Sequence, residues 1–401
     1  MNHRAHALAG DRTAQRITLP PLWLGAATVA AAWVAGFALV GWLVLFVHQP
    51  VHKDFRIFYV AAEAGVRYSW ASIYDLPTLR SLSSALPPGQ TTIDSATVFV
   101  NPPLLTWLIA PLTAFPLAVA YAIWTGLSLG VMVWSWRIAA PFTGIAKVAL
   151  LVGGLAMWPV SDDLYYGQPC LLVIGLVAAT WWLCTKDRPL IAGIALALAT
   201  ALKPQDVIIV PFALLAAGRV RPFLSWAAAC AVLGAAFAAA LGVTGLERWW
   251  QALMYLQSDP THTYFTLAYV LGTGPVTYVV EGFEAALAIA IAWKRRTRLE
   301  IVFAAGIIGS IASSFHLHEP DYAVLVLAAW LILRGSPPRA HLAWLAAGVA
   351  SMQAVSLARP LPQLVWDAVW LVMVAINSFA GSGASALATR PAAVSAGHED
   401  R

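Results

Sequence analysis

Apolar runs long enough to cross a membrane alternate along this chain with short turns of Arg, Lys, Asp, Gly and Pro. A spanning helix needs about 20 apolar residues. On that criterion the pattern predicts helices near 21–47, 116–136, 145–160, 169–185, 189–202, 205–217, 222–242, 274–293, 299–314, 321–333, 340–357 and 363–380. About twelve transmembrane helices would leave both termini on one side of the membrane. Pro102–Phe115 is apolar but too short to cross, so its expected place is along the outer interface. The first loop, 48–115, is too long for a simple turn. Its segment 55–68 carries Phe55, Phe58, Tyr59 and Ala62 at helical spacing, which predicts a helix at the membrane surface. Pro87-Pro88-Gly89 breaks the chain beyond it.

The expected fold is therefore an all-α polytopic membrane domain over 21–380, with 48–115 as a long extracytoplasmic loop carrying interfacial helices. Residues 1–20 form a cytoplasmic tail, and 381–401, rich in Ala, Ser and Gly, read as a disordered cytoplasmic tail. The first apolar run exceeds a signal-peptide core and lacks a small-x-small cleavage site before Asp54, so it is expected to be retained.

Composition agrees with a bilayer environment. Apolar residues make up 60% of the chain and charged ones 11%, against roughly a quarter charged in soluble domains. The net charge of +5 comes from basic residues in short loops, which points to topology and not to a nucleic-acid partner. With the N-terminus inside, seventeen of the 24 Lys and Arg fall on the cytoplasmic side and seven outside. Treating Pro102–Phe115 as a span would reverse that bias. Cys170, Cys184 and Cys230 all lie in or at apolar runs, an odd set with neither disulfide nor metal-ligand spacing.

Topology places the polar residues on the outer face: Asp54, Tyr74-Asp75, Asn101, Asp162-Asp163, Gly167-Gln168, Lys203-Pro204-Gln205-Asp206, His262 and His316 through Asp321. Segments 189–202, 205–217 and 321–333 are short of a full span, so the polar turns joining them are expected to dip inward and line a wet cavity roofed by the 48–115 loop. Asp54 ends the first apolar run, where a carboxylate reaches lipid-borne substrate and water together. Lys203, in a short outer turn, is either a snorkelling anchor or the counter-ion of a phosphate or carboxylate. His316 and His318, two apart, are expected to point apart and not to form a metal pair. Asp162-Asp163 read either as a divalent-ion site or, the commoner case for adjacent acids in a loop, as solvated acids, and Tyr74-Asp75 reads as a turn that fixes the loop. No phosphate-cradling Gly-rich loop and no nucleophile elbow is present.

Six elements in order, Asp54-Phe55-x-x-Phe58-Tyr59-x-Ala61-Ala62, Tyr74-Asp75, Pro102-Pro103-Leu104 with Ala110-Pro111-Leu112, Gly167-Gln168, Lys203-Pro204-Gln205 and His318-x-x-Asp321, resemble glycosyltransferase family 87 from about residue 50 to 335. That resemblance implies the GT-C membrane fold and an inverting hexosyl transfer, mannose foremost, from a polyprenyl-phosphate carrier to a glycan or glycolipid hydroxyl. It implies Asp54 as general base, Lys203 and His318 at the donor phosphate, and Gln168, Gln205, Asp321 and Asn101 at sugar or acceptor. It implies no cofactor, with a divalent metal left open. The chain departs from the family pattern at Asn101, where Tyr is usual, at Ser314-Phe315-His316-Leu317, and at Pro320, where an aromatic residue is common. A transporter or flippase for a lipid-linked or small anionic substrate is the competing reading, although transporters tend to place polar groups near the midplane of repeated halves.

Overall fold

A computed structural model describes residues 22–48, 53–86, 93, 99–258 and 263–377 of the 401-residue chain. All regular structure among them is helical. The N-terminal part comprises α1 (Leu22–His48), α2 (Lys53–Arg67), α3 (Leu76–Ser84), α4 (Pro103–Ile109) and α5 (Leu117–Ala139). The centre holds α6 (Gly144–Leu155), α7 (Trp158–Tyr166), α8 (Cys170–Thr185), α9 (Pro189–Leu202), α10 (Ile209–Ala216) and α11 (Val220–Ser258). The last third holds α12 (Leu267–Leu271), α13 (Pro275–Lys294), α14 (Leu299–Ala312), α15 (Val324–Arg334), α16 (Arg339–Val355) and α17 (Leu361–Ile376).

Among the described residues each of the twelve apolar segments carries helix, with breaks inside 145–160 and 205–217, and local chemistry sets many of the ends. Pro159, Pro189, Pro275 and Pro362 occupy the first turns of α7, α9, α13 and α17, where the missing N–H costs no helical bond. Asp75 caps α3 by accepting the Thr78 N–H at 3.2 Å. Gly242 (φ 59°, ψ −175°) breaks α11 into two rods near the end of the predicted 222–242 helix.

The helices are less uniform than twelve full spans. α5, α11 and α13 are each long and apolar enough to cross a membrane, and α6 with α7 forms a fourth candidate bent by 56°. Most of the other apolar helices run 10–17 residues, so length alone supports three or four crossings among the described residues. The membrane character itself is plain in how burial is distributed. α13 turns Val276, Tyr278, Val279 and Phe283 outward, while Asp163, Lys203, Asp206 and Asp321 are buried. An apolar exterior around a charged interior suits lipid surroundings.

One expected element sits elsewhere. α2 is a helix, as its spacing predicts, but it is not laid on a surface: Phe55 to Ala64 are buried. α3, α4, the 3-10 turn Ala110–Ala114, α5 and α7 pack around it. Arg56 is drawn in with it, donating from Nη2 to the Ser83 carbonyl at 2.7 Å and from Nε to Ser83 Oγ at 3.2 Å. The apolar segment that follows Pro102 covers α2 and so takes the place expected of lipid. Pro87-Pro88-Gly89, His262 and both tails lie outside the described residues.

Candidate active site

Asp54 stands in the first turn of α2, where the helix N-terminus favours a negative charge. Its Oδ2 accepts a hydrogen bond of 2.5 Å from Gln168 Nε2. The intervening geometry depends on Gly167, which ends α7 in the left-handed conformation (φ 71°). A Cβ there would lie 2.7 Å from the Cβ of Phe55, so only glycine lets this turn meet the start of α2. Trp124 Nε1 donates to the Gly167 carbonyl at 2.9 Å, and the Tyr121 hydroxyl donates to the Leu164 carbonyl at 2.7 Å. Two side chains of α5 thus pin the turn that carries Gln168.

Lys203 follows the last residue of α9. Pro204 disfavours helical backbone in the residue before it, and Lys203 is extended (φ −147°, ψ 91°). Its ammonium turns inward, pairs with Asp321 Oδ1 and donates to Cys170 Sγ at 3.2 Å. The other Asp321 oxygen, Oδ2, accepts the His318 backbone N–H at 2.7 Å, closing the 3-10 turn Glu319–Ala323. Burial alone would raise the Asp321 carboxyl, but Lys203, His318 and their hydrogen bonds outweigh it and hold it below the usual carboxylate range. Lys203 is held charged against its own burial by Asp321 and, after it, Cys170, which push it well above the usual value.

Asp54, Asn101, Gln168, Lys203, Gln205 and His318 line one cavity of about 460 Å³. Six of the seven sequence candidates therefore meet. Asp321 does not line it; fully buried, it reaches the cavity through its bonds to the Lys203 side chain and the His318 backbone N–H. Gln168 has its amide on Asp54, so its first partner is the carboxylate and not a sugar.

The same cavity exposes residues the sequence left aside: Asp162, Tyr166, Trp249, His316 and Glu319. Asp162 and Asp163, expected as solvated loop acids, are buried on α7. Asp163 Oδ1 accepts the Cys170 N–H at 2.9 Å. Glu319 Oε2 accepts from Trp158 Nε1 at 2.5 Å, and burial raises its carboxyl from the ordinary value despite that bond. The His316 and His318 rings do not point apart: they meet edge to face, centroids 4.8 Å apart, because the chain bends into the 3-10 turn just after them. Tyr74-Asp75 has a supporting position. The Tyr74 ring stacks on Phe99 and Trp249 and its hydroxyl donates to the Asn101 carbonyl at 2.7 Å, while Asp75 pairs with Arg248 at 3.0 Å.

A second hollow, of about 450 Å³, opens between α4, α5, α8 and α9. Leu104, Leu108, Leu127, Leu176, Leu198 and Leu202 are among its walls, and all of its lining residues are apolar side chains or glycine. Leu202 faces this groove and the next residue, Lys203, faces the polar cavity.

Among the described residues, Cys170, Asp206 and Asp321 form a group whose potential ligand atoms lie within 4.8 Å of one another. The Lys203 ammonium bonds two of the three, Cys170 and Asp321.

The sequence profile of glycosyltransferase family 87 matches residues 99–352, more than half of the chain. The chain belongs to glycosyltransferase family 87. It is accordingly a membrane-associated transferase that acts on a sugar donor and an acceptor, and the transporter reading gives way to an enzyme. The match to family 87 includes Asn101, Gln168, Lys203, Gln205, His318 and Asp321; Asp54 precedes it and joins the site through the Gln168 hydrogen bond. Neither the comparison with curated proteins nor that with solved structures returns a match.

Proposed function

We propose that this family 87 enzyme moves a hexose, mannose foremost, from a polyprenyl-phosphate carrier to a hydroxyl of a glycan or glycolipid, with inversion at the anomeric carbon. The observation that carries the reading is the adjacency at Leu202-Lys203: Leu202 lines the apolar groove, and the next residue, Lys203, lines the charged cavity. A lipid phosphate has the same two halves: a hydrocarbon chain for the groove, and an anionic head for the ammonium.

In this reading the acceptor hydroxyl gives its proton to Asp54 as its oxygen forms a bond to the anomeric carbon. The bond from that carbon to the phosphate oxygen breaks, and its electron pair leaves with the phosphate. The negative charge that grows there is met by Lys203, with His318 beside it. Gln168 aims the Asp54 carboxylate. Gln205 and Asn101 face the cavity where sugar or acceptor hydroxyls would sit. Lys203 supplies the positive charge of the scheme, and a divalent metal is left open. The site is assigned to the extracytoplasmic face of the cell membrane, with both termini cytoplasmic, on the bias of Lys and Arg among the loops.

The test is incubation of the purified protein with a panel of polyprenyl-phosphate sugars and envelope lipid acceptors, followed by mass analysis. One hexose gained by an acceptor, with free polyprenyl phosphate released, supports the reading. Transfer only from nucleotide sugars would overturn it.

A further inference from the structure

Asp206 has no part in the scheme above, yet it is fully buried and neither of its carboxyl oxygens meets an N–H or hydroxyl donor. It closes the short turn Pro204–Asp206, its backbone N–H bonded to the Lys203 carbonyl at 3.3 Å. A carboxylate oxygen of Asp206, one of Asp321 and the Cys170 sulfur lie within 4.8 Å of one another. The one ammonium among them, Lys203, is engaged by Asp321 and Cys170. Asp163 on α7 is the remaining titratable neighbour, and it takes its own donor from the Cys170 N–H.

Two buried carboxylates beside one ammonium are costly when both are charged and one of them meets no protein donor. A proton resolves both problems, because a carboxylic acid donates where a carboxylate only accepts. We propose that Asp206 is a positioning residue that holds a proton and donates it in a hydrogen bond to Asp321, leaving Lys203 with a single buried anion and its charge directed to the cavity. Burial, and after it the Asp321 charge, acts in the same sense on the Asp206 carboxyl, raising it well above the ordinary value. The assembly is then Lys203 positive, Asp321 negative and Asp206 neutral. The role of Lys203 toward a phosphate rests on the functional reading; the proton on Asp206 does not.

Two variants and one spectrum test this. Asp206→Asn keeps a neutral donor toward Asp321, so donor affinity should stay within about twofold of the parent, whereas Asp206→Ala removes the donor and should weaken polyprenyl-phosphate-sugar binding about tenfold with little change in kcat. Infrared difference spectroscopy of the parent against Asp206→Asn at neutral pH should show loss of one protonated carboxylic C=O band. An Asn variant as impaired as Ala would overturn the proposal, since Asp206 would then act as an anion. Unchanged affinity in a folded Ala variant would overturn it by uncoupling Asp206 from Lys203. If the Ala variant does not fold, the Asn variant and the infrared band still decide. Absence of the band refutes the shared proton whatever the enzyme transfers, while failure of the parent to bind any polyprenyl phosphate refutes only the functional reading.

Discussion

The two hollows of this protein are nearly equal in volume and opposite in chemistry. The groove between α4, α5, α8 and α9 is walled by Leu and other apolar residues; the cavity between α2, α7 and the turns after α9 and α14 gathers Asp54, Asp162, Lys203, His318 and Glu319. Leu202 lines the first and the next residue, Lys203, lines the second. The difference shows how a chain with 11% charged residues concentrates chemistry. Helices provide the apolar walls, while the charges come from the breaks that carry Lys203, His318 and Glu319 and from Asp54 and Asp162 on the short helices α2 and α7. Pro204 and Gly167 are decisive because each forces such a break where a functional side chain must turn inward.

Breaking the polar side at its cation should have the largest effect. Lys203→Ala leaves Asp321 buried and unpaired, which costs about 3–5 kcal/mol of stability. Thermal unfolding in detergent should show that loss, and transfer should vanish even where the protein folds. A stable variant with parental activity would remove Lys203 from the site.

Gln168→Ala tests positioning on the same side. It removes one positioning hydrogen bond from the Asp54 carboxylate and leaves the carboxylate in place, so kcat should fall about tenfold with donor affinity kept. A fall in donor affinity alone would move Gln168 to the sugar. On the apolar side, Ala179→Phe fills part of the groove and should raise KM several-fold for long polyprenyl donors, by roughly the 0.8 kcal/mol per CH₂ that loses its contact. Donors with one or two isoprene units should be unaffected; equal effects on both would disconnect the groove from the donor.

The smallest effect concerns pH. Asp321 is held below the usual range, so the stability it contributes is present in full above about pH 4 and is lost as pH falls through the lowered value. Unfolding curves should show an acid limb that Asp321→Asn flattens. A limb unchanged in that variant would mean other carboxyls set it.

Much of this was legible in the sequence because apolar runs and helix breakers act locally. Among the described residues all twelve apolar segments carry helix, and six of seven candidate residues share a cavity. What the pattern could not convey was what each polar residue faces. α2 has the spacing of an interfacial helix, but the spacing does not distinguish lipid from the short helix α4 that covers it. Asp321 sits three residues from His318 and was expected at the substrate; its carboxyl is consumed by Lys203, some hundred residues earlier in the chain. Asp162 and Glu319 carried a signal, since acids in a mostly apolar chain need a reason, but adjacent acids also suit a solvated turn. The crossing count depends on lengths that short, broken helices do not settle individually.

The most direct measurement compares the parent protein with Asp54→Asn, using one polyprenyl-phosphate hexose, for both donor binding and product formation. The account predicts unchanged donor affinity and a fall in transfer of about 10²–10⁴-fold, the usual contribution of a positioned general base. Parental transfer by Asp54→Asn would contradict the account at its centre.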